Sequence, residues 1–140
     1  MKTITLLKFI IVAFLLGSCC NQDDGNPLED PIHGKWHLLQ VSGGFAGFNH
    51  LFEPGTISWE FDTVTQKFKV VNTNTDESLV DLFETGTYAY GFEENSATPE
   101  LCNEVILLDA IDYGCYTFEN NTLIISQIES DGYYIKLKRF

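Results

Sequence analysis

The chain has 140 residues, 44% hydrophobic and 14% aromatic, and eight basic against twenty acidic side chains give a net charge of −12. So acidic a surface repels nucleic-acid phosphates and anionic lipid headgroups, which excludes both as expected partners. The length allows one modest domain.

The chain opens MKTITLLKFIIVAFLLGS, with Lys2 and Lys8 placed ahead of an unbroken apolar run over residues 9–16. That is the pattern of an export signal, too short to span a bilayer. The run ends in Leu16-Gly17-Ser18-Cys19, which resembles a bacterial lipobox. With Cys20 as acceptor, Gly17 would stand where an aliphatic residue belongs, so Cys19 is the expected lipid-bearing N-terminus. Acyl chains contribute about 0.8 kcal/mol per buried CH₂, so the expected membrane contact is through this anchor. Residues 19–31 are polar, acidic and broken by Gly25, Pro27 and Pro31, the composition of a flexible tether. Asp23-Asp24 resembles the export signal of Bacteroidetes-type surface lipoproteins, which implies an outer-membrane lipoprotein of the cell envelope, displayed outward.

Residues 32–140 alternate apolar and polar with period two between short turns, the signature of β-strands. In chain order the expected strands are 34–42, 56–62, 66–73, 86–92, 102–108, 113–118, 122–128 and 133–139. The first is expected to turn Trp36, Leu38 and Gln40 inward, and the second Ile57, Trp59 and Phe61. Further inward positions are Phe68, Val70, Tyr88, Tyr90, Phe92 and Tyr116. Asp131-Gly132 reads as a tight turn before the last strand. Two longer links interrupt the series. Residues 43–55 carry Phe45, Phe48, Leu51 and Phe52 among glycines and read as a rim loop, either folded in as a plug or standing out as a contact surface. Residues 74–85 contain DESLVDLF, read as one helical turn capping an open end. Eight sequential strands predict an all-β fold, an eight-stranded antiparallel up-and-down barrel, whose interior is filled by side chains or holds one small ligand.

Gly34-Lys35-Trp36, with Arg139 near the end of the last strand, resembles the GxW motif and closing arginine of the lipocalin-like families. In a closed meander the last strand lies beside the first, so the guanidinium of Arg139 meets the indole of Trp36 as a structural contact. Asp112-Tyr113-Gly114-Cys115-Tyr116 also matches a DYxxY pattern of that family, but three strands follow here and the family's C-terminal helix is absent. The resemblance, closest to small bacterial lipocalin-like lipoproteins, implies a small apolar or aromatic ligand in the barrel, with Gln40, Trp59, Phe68, Tyr88, Tyr90 and Tyr116 around it. The bulk of these aromatics argues instead for a plugged barrel serving as a surface module for protein or glycan contact through Phe45, Phe48 and Phe52.

Cys102 and Cys115 remain as a pair in an oxidising compartment. A four-residue turn at 109–112 would set Cys115 opposite Ile106 and leave Cys102 about 13 Å away at strand rise. A disulfide then requires the chain at 99–102 to fold back. His33 and His37 have helical ligand spacing on what reads as a strand. Asn72, Asn74 and Asp76 open like a calcium loop but lack its glycine and its final carboxylate. No nucleophile elbow, HExxH, phosphate loop or CxxC occurs. No catalysis, cofactor or metal is expected.

Overall fold

The computed structural model describes residues 30–127 and 131–140. The export signal over residues 1–18, Cys19, the tether as far as residue 29, and Ile128 lie outside the described residues. Among the described residues the fold is all-β, with nine strands and no helix. These are β1 (Gly34–Gly43), β2 (Phe48–Leu51), β3 (Ile57–Asp62), β4 (Lys67–Asn72), β5 (Gly86–Glu94), β6 (Glu104–Leu108), β7 (Ile111–Glu119), β8 (Thr122–Ser126) and β9 (Tyr133–Lys138). Strands β1 and β3 to β9 run antiparallel around a closed eight-stranded barrel, sealed where β9 pairs with β1, and β2 is one extra strand. The architecture is that of a lipocalin-like barrel. Closure leaves no long unpaired edge.

Period-two alternation builds the wall as expected: Ile57, Trp59 and Phe61 on β3 and Phe68 and Val70 on β4 are buried, with Lys67, Lys69 and Val71 outside. Strand β1 departs from it. Leu38 pairs with Leu137 and Gln40 with Lys136, so Leu39 is an extra residue in the β1–β9 ladder. This bulge reverses the alternation. Trp36, Leu38 and then Val41 are buried, and the Gln40 side chain turns outward, its Nε2 donating to Asn49 Oδ1 at 2.8 Å. Gln40 is therefore not an interior residue.

The link at 43–55 is also more ordered than a rim loop. Its first half folds into β2, which pairs with β1 from Gln40↔Leu51 to Gly43↔Phe48. Strand β3 takes the same edge of β1 further down, from Gly34↔Phe61 to His37↔Ser58. The two thus act as one partner strand, interrupted by a turn where Thr56 N–H donates to the Glu53 carbonyl at 3.1 Å. Gly43 must be glycine here: at φ +113° a Cβ would stand 2.0 Å from the Gly132 carbonyl oxygen.

The two domain cysteines meet because the β6–β7 hairpin is tighter than the spacing suggested. Asp109 and Ala110 both adopt left-handed φ, 51° and 63°, making a two-residue turn between Leu108 and Ile111. A register shift at Gly114 then sets Cys115 opposite Val105 rather than Ile106. Residues 95–103 fold back, with Asn95 N–H donating to the Asn103 carbonyl at 2.9 Å. Cys102 and Cys115 come to a Cα separation of 5.9 Å and form a disulfide. Strand β8 stops at Ser126, and Gln127 N–H reaches the Tyr133 carbonyl, so Asp131-Gly132 belongs to a longer link than a tight turn.

Candidate functional site

The barrel has a lower end, where the chain enters at Gly34, and an upper end, where β1 turns into β2. At the lower end Trp36 Nε1 donates to the Ile32 carbonyl at 2.8 Å, and Ile32 itself is fully buried. The Arg139 guanidinium lies 4.2 Å from the centre of the Trp36 ring. Its Nη2 donates to the carbonyls of Pro31 and His33. Gly34 supplies the left-handed φ of +101° that carries the chain past this arginine. The end is thus closed by a cation over an indole face and by an isoleucine beneath it, a structural arrangement.

The interior is a continuous aromatic stack. Trp59 packs at 5.5 Å from Phe68, and Phe68 at 5.2 Å from Phe61. Tyr90 meets Phe61 edge-on at 5.1 Å. Into this stack from above comes Phe83, edge-on to Trp59 at 5.4 Å and to Phe68 at 5.2 Å. Phe83 belongs to no strand. The segment 74–85 that was expected to form a helical turn has no helix; it crosses the mouth as an irregular strap, with Leu79, Val80 and Leu82 packed against the core beside Phe83. A single helical turn would satisfy few of its own polar groups. The strap's are met by side chains instead: Asn72 Nδ2 donates to Asp81 Oδ2 at 2.7 Å and to the Phe83 carbonyl at 3.0 Å. Val80 N–H donates to His50 Nδ1 on β2 at 2.7 Å.

Of the residues expected around a ligand, Trp59, Phe68 and Tyr90 are core, with Phe68 in direct contact with both Trp59 and Tyr88. Tyr88 is half-buried at the upper end, its hydroxyl donating to the Glu84 carbonyl at 3.0 Å. Tyr116 stacks on Phe92 at 5.0 Å on the far wall and donates to Glu104 Oε2. Burial first, then the Glu104 hydrogen bond and charge, holds the Tyr116 phenol above its ordinary pKa. Burial, aided by the charges of Asp30 and Asp62, pushes Tyr90 up to about 12. The phenylalanines of the β1–β2 hairpin divide. Phe52 is buried, Phe48 is half-buried against His50 and Tyr133, and Phe45 at the tip is 94% exposed.

Among the described residues three buried side-chain polar atoms lack a partner, His37 Nδ1, Arg139 Nε and, within the aromatic core, Trp59 Nε1. Trp59 is 0% exposed, and its Nε1 has no acceptor. Two concavities lie on the outer wall, one of about 380 Å³ beside Glu60, Lys67 and Lys69, the other of about 250 Å³ beside Asn95 and Gln127. Among the described residues no group of three or more His, Cys, Asp or Glu is placed to hold a metal ion. The sequence reading missed the importance of Ile32 and His50. For Phe83 a signal existed: Leu79, Val80, Leu82 and Phe83 are apolar in an otherwise polar link. No family model, curated protein or solved structure matches the chain.

Proposed function

We propose that this protein is a lipid-anchored, lipocalin-like barrel of the outer membrane, surface-displayed and without catalytic activity, that serves as a contact module for a protein or glycan partner. The observation that carries this reading is the filled interior. With Trp59, Phe61 and Phe68 stacked inside, Phe83 above and Ile32 below, little room is left for a guest, while Phe45 stands exposed on a glycine-flanked tip. On this reading the exposed ring at the hairpin tip is the contact feature. Ten residues of β1 separate the chain's entrance to the barrel from that tip, about 33 Å at strand rise. The tether from Cys19 enters the barrel at the end opposite that tip.

A photo-crosslinking amino acid at position 45, in cells making the full chain, tests the reading against the same probe at Val64, which is 91% exposed at the lower end. A discrete adduct at 45 and none at 64 is expected; no adduct at 45 sinks the proposal. A second reading, a small apolar or aromatic ligand inside the barrel, is favoured by the unpartnered Trp59 Nε1, since a buried donor without an acceptor is costly. It requires Phe83 to leave. Saturable binding of a water-soluble aromatic such as indole, read by calorimetry and by the NMR shift of the Trp59 Nε1–H, would select this reading over the first.

A further inference from the structure

The strap over the upper mouth is held almost wholly from its own base. Asn72 and Asn74 both donate to Asp81 Oδ2, and Thr85 Oγ1 hydrogen-bonds the backbone of Asn72. Midway along it, Leu82 sits at φ +69°, a left-handed conformation that a γ-branched side chain adopts only when its surroundings hold it there. The hydrogen bond that reaches the strap's middle from a different strand is Val80 N–H to His50 Nδ1, across thirty residues of sequence.

That bond requires a neutral imidazole with its lone pair on Nδ1. Protonation puts a hydrogen on Nδ1 facing the Val80 N–H, so an acceptor becomes a second donor and the contact turns repulsive. Around the ring, Phe48 stacks on one face at 4.6 Å, and β1 contributes Val41, uncharged, as the strand partner. Tyr133 on β9 touches Phe48 and brings a neutral phenol. The strap brings carboxylates: Asp76, whose proton affinity is lowered chiefly by hydrogen bonds from Ser78 and slightly by His50, with Glu77 beside it and Asp81 next to Val80. Their negative charge does not restore an acceptor for Val80, and Asp76 Oδ1 is already occupied by Ser78. Pairing the imidazolium with Asp76 would require residues 76–80 to move.

We propose that residues 74–85 form an acid-loosened strap, latched at its middle by neutral His50 on the Val80 amide, which detaches from β2 at Val80 when the imidazole gains a proton. Histidine is the side chain whose charge changes nearest neutral pH. Strap release belongs to the fold and does not depend on which of the two readings above holds.

The test is amide hydrogen exchange of the mature full-length chain in nanodiscs, corrected for intrinsic rates, at pH 7.5 and pH 5. Val80 is expected to lose about tenfold more protection on acidification than the barrel amides of Ile57 and Ile125. The NMR shift of the His50 ring nitrogens should follow the same midpoint. In His50→Gln, whose side-chain carbonyl accepts at either pH, Val80 protection is expected to become independent of pH. In Asp76→Asn the pH-dependent loss should persist. Val80 protection that tracks the barrel amides at both pH values in the native chain overturns the proposal without recourse to any variant. A pH-dependent loss that survives in His50→Gln, or vanishes in Asp76→Asn, overturns it as well.

Discussion

Phe83→Ala is the sharpest probe of whether the barrel is plugged. The ring is buried against Trp59, Phe68 and Tyr88, at 5.4, 5.2 and 4.9 Å, with the first two contacts edge-on. A core Phe→Ala change costs about 3–5 kcal/mol when the surroundings cannot collapse. Here the side chain hangs from a strap without ladder hydrogen bonds, and the vacated space opens towards the mouth, where water or neighbouring chains can enter. The expected loss is therefore lower, about 2–3 kcal/mol. Against a typical domain stability of about 5–15 kcal/mol the variant stays folded. Urea unfolding followed by Trp36 and Trp59 fluorescence measures the loss, and calorimetric titration of the folded variant with indole should show saturable binding that the native chain lacks. A loss below about 0.5 kcal/mol, the range of an ordinary surface change, with no gain of binding, would refute the idea that Phe83 closes the interior.

Three further outcomes are expected. Arg139→Ala removes the cation over Trp36 and the donors to Pro31 and His33, and should cost about 1–3 kcal/mol by thermal unfolding, with a shifted Trp36 emission; an unchanged melting temperature would count against closure of the lower end by this residue. Replacing Cys102 and Cys115 by Ser opens a bridge between residues thirteen apart and should cost about 3 kcal/mol in a urea titration, a loss that reduction of the native chain should reproduce. Tyr90, Tyr113 and Tyr116 all have raised phenol pKa values, so each stabilises the fold fully below pH 10 and loses that contribution as pH rises, when only the unfolded chain ionises. Stability should therefore fall as pH rises above about 10, the ordinary tyrosine value, and the fall should be shallower in Tyr116→Phe.

Much of the barrel was legible because period-two alternation is a local property. Ile57, Trp59 and Phe61 must share a face wherever that strand goes, and Asn120-Asn121 must turn, each adopting positive φ. The pairing of Trp36 with Arg139 was legible for another reason: closing a meander leaves the last strand only the first to lie against. The candidate site was much less so. A single extra residue at Leu39 sends Gln40 outward, and a shift at Gly114 moves Cys115 into reach of Cys102. Bulges cost little locally and are chosen by the fit of whole strands, so no pattern in the sequence announces them.

The sequence by itself determined the strand count of the barrel, the inward aromatics of β3 and β4, and the contact of Arg139 with Trp36 at the lower end, since each follows from alternation and from the order of strands. Only the tertiary structure decided which of the hairpin phenylalanines points into water and which into the core. It alone put Phe83 into the stack beneath the strap and His50 against Val80. Those outcomes depend on contacts between segments some thirty residues apart, whose energies exist only once the barrel has closed and brought them together.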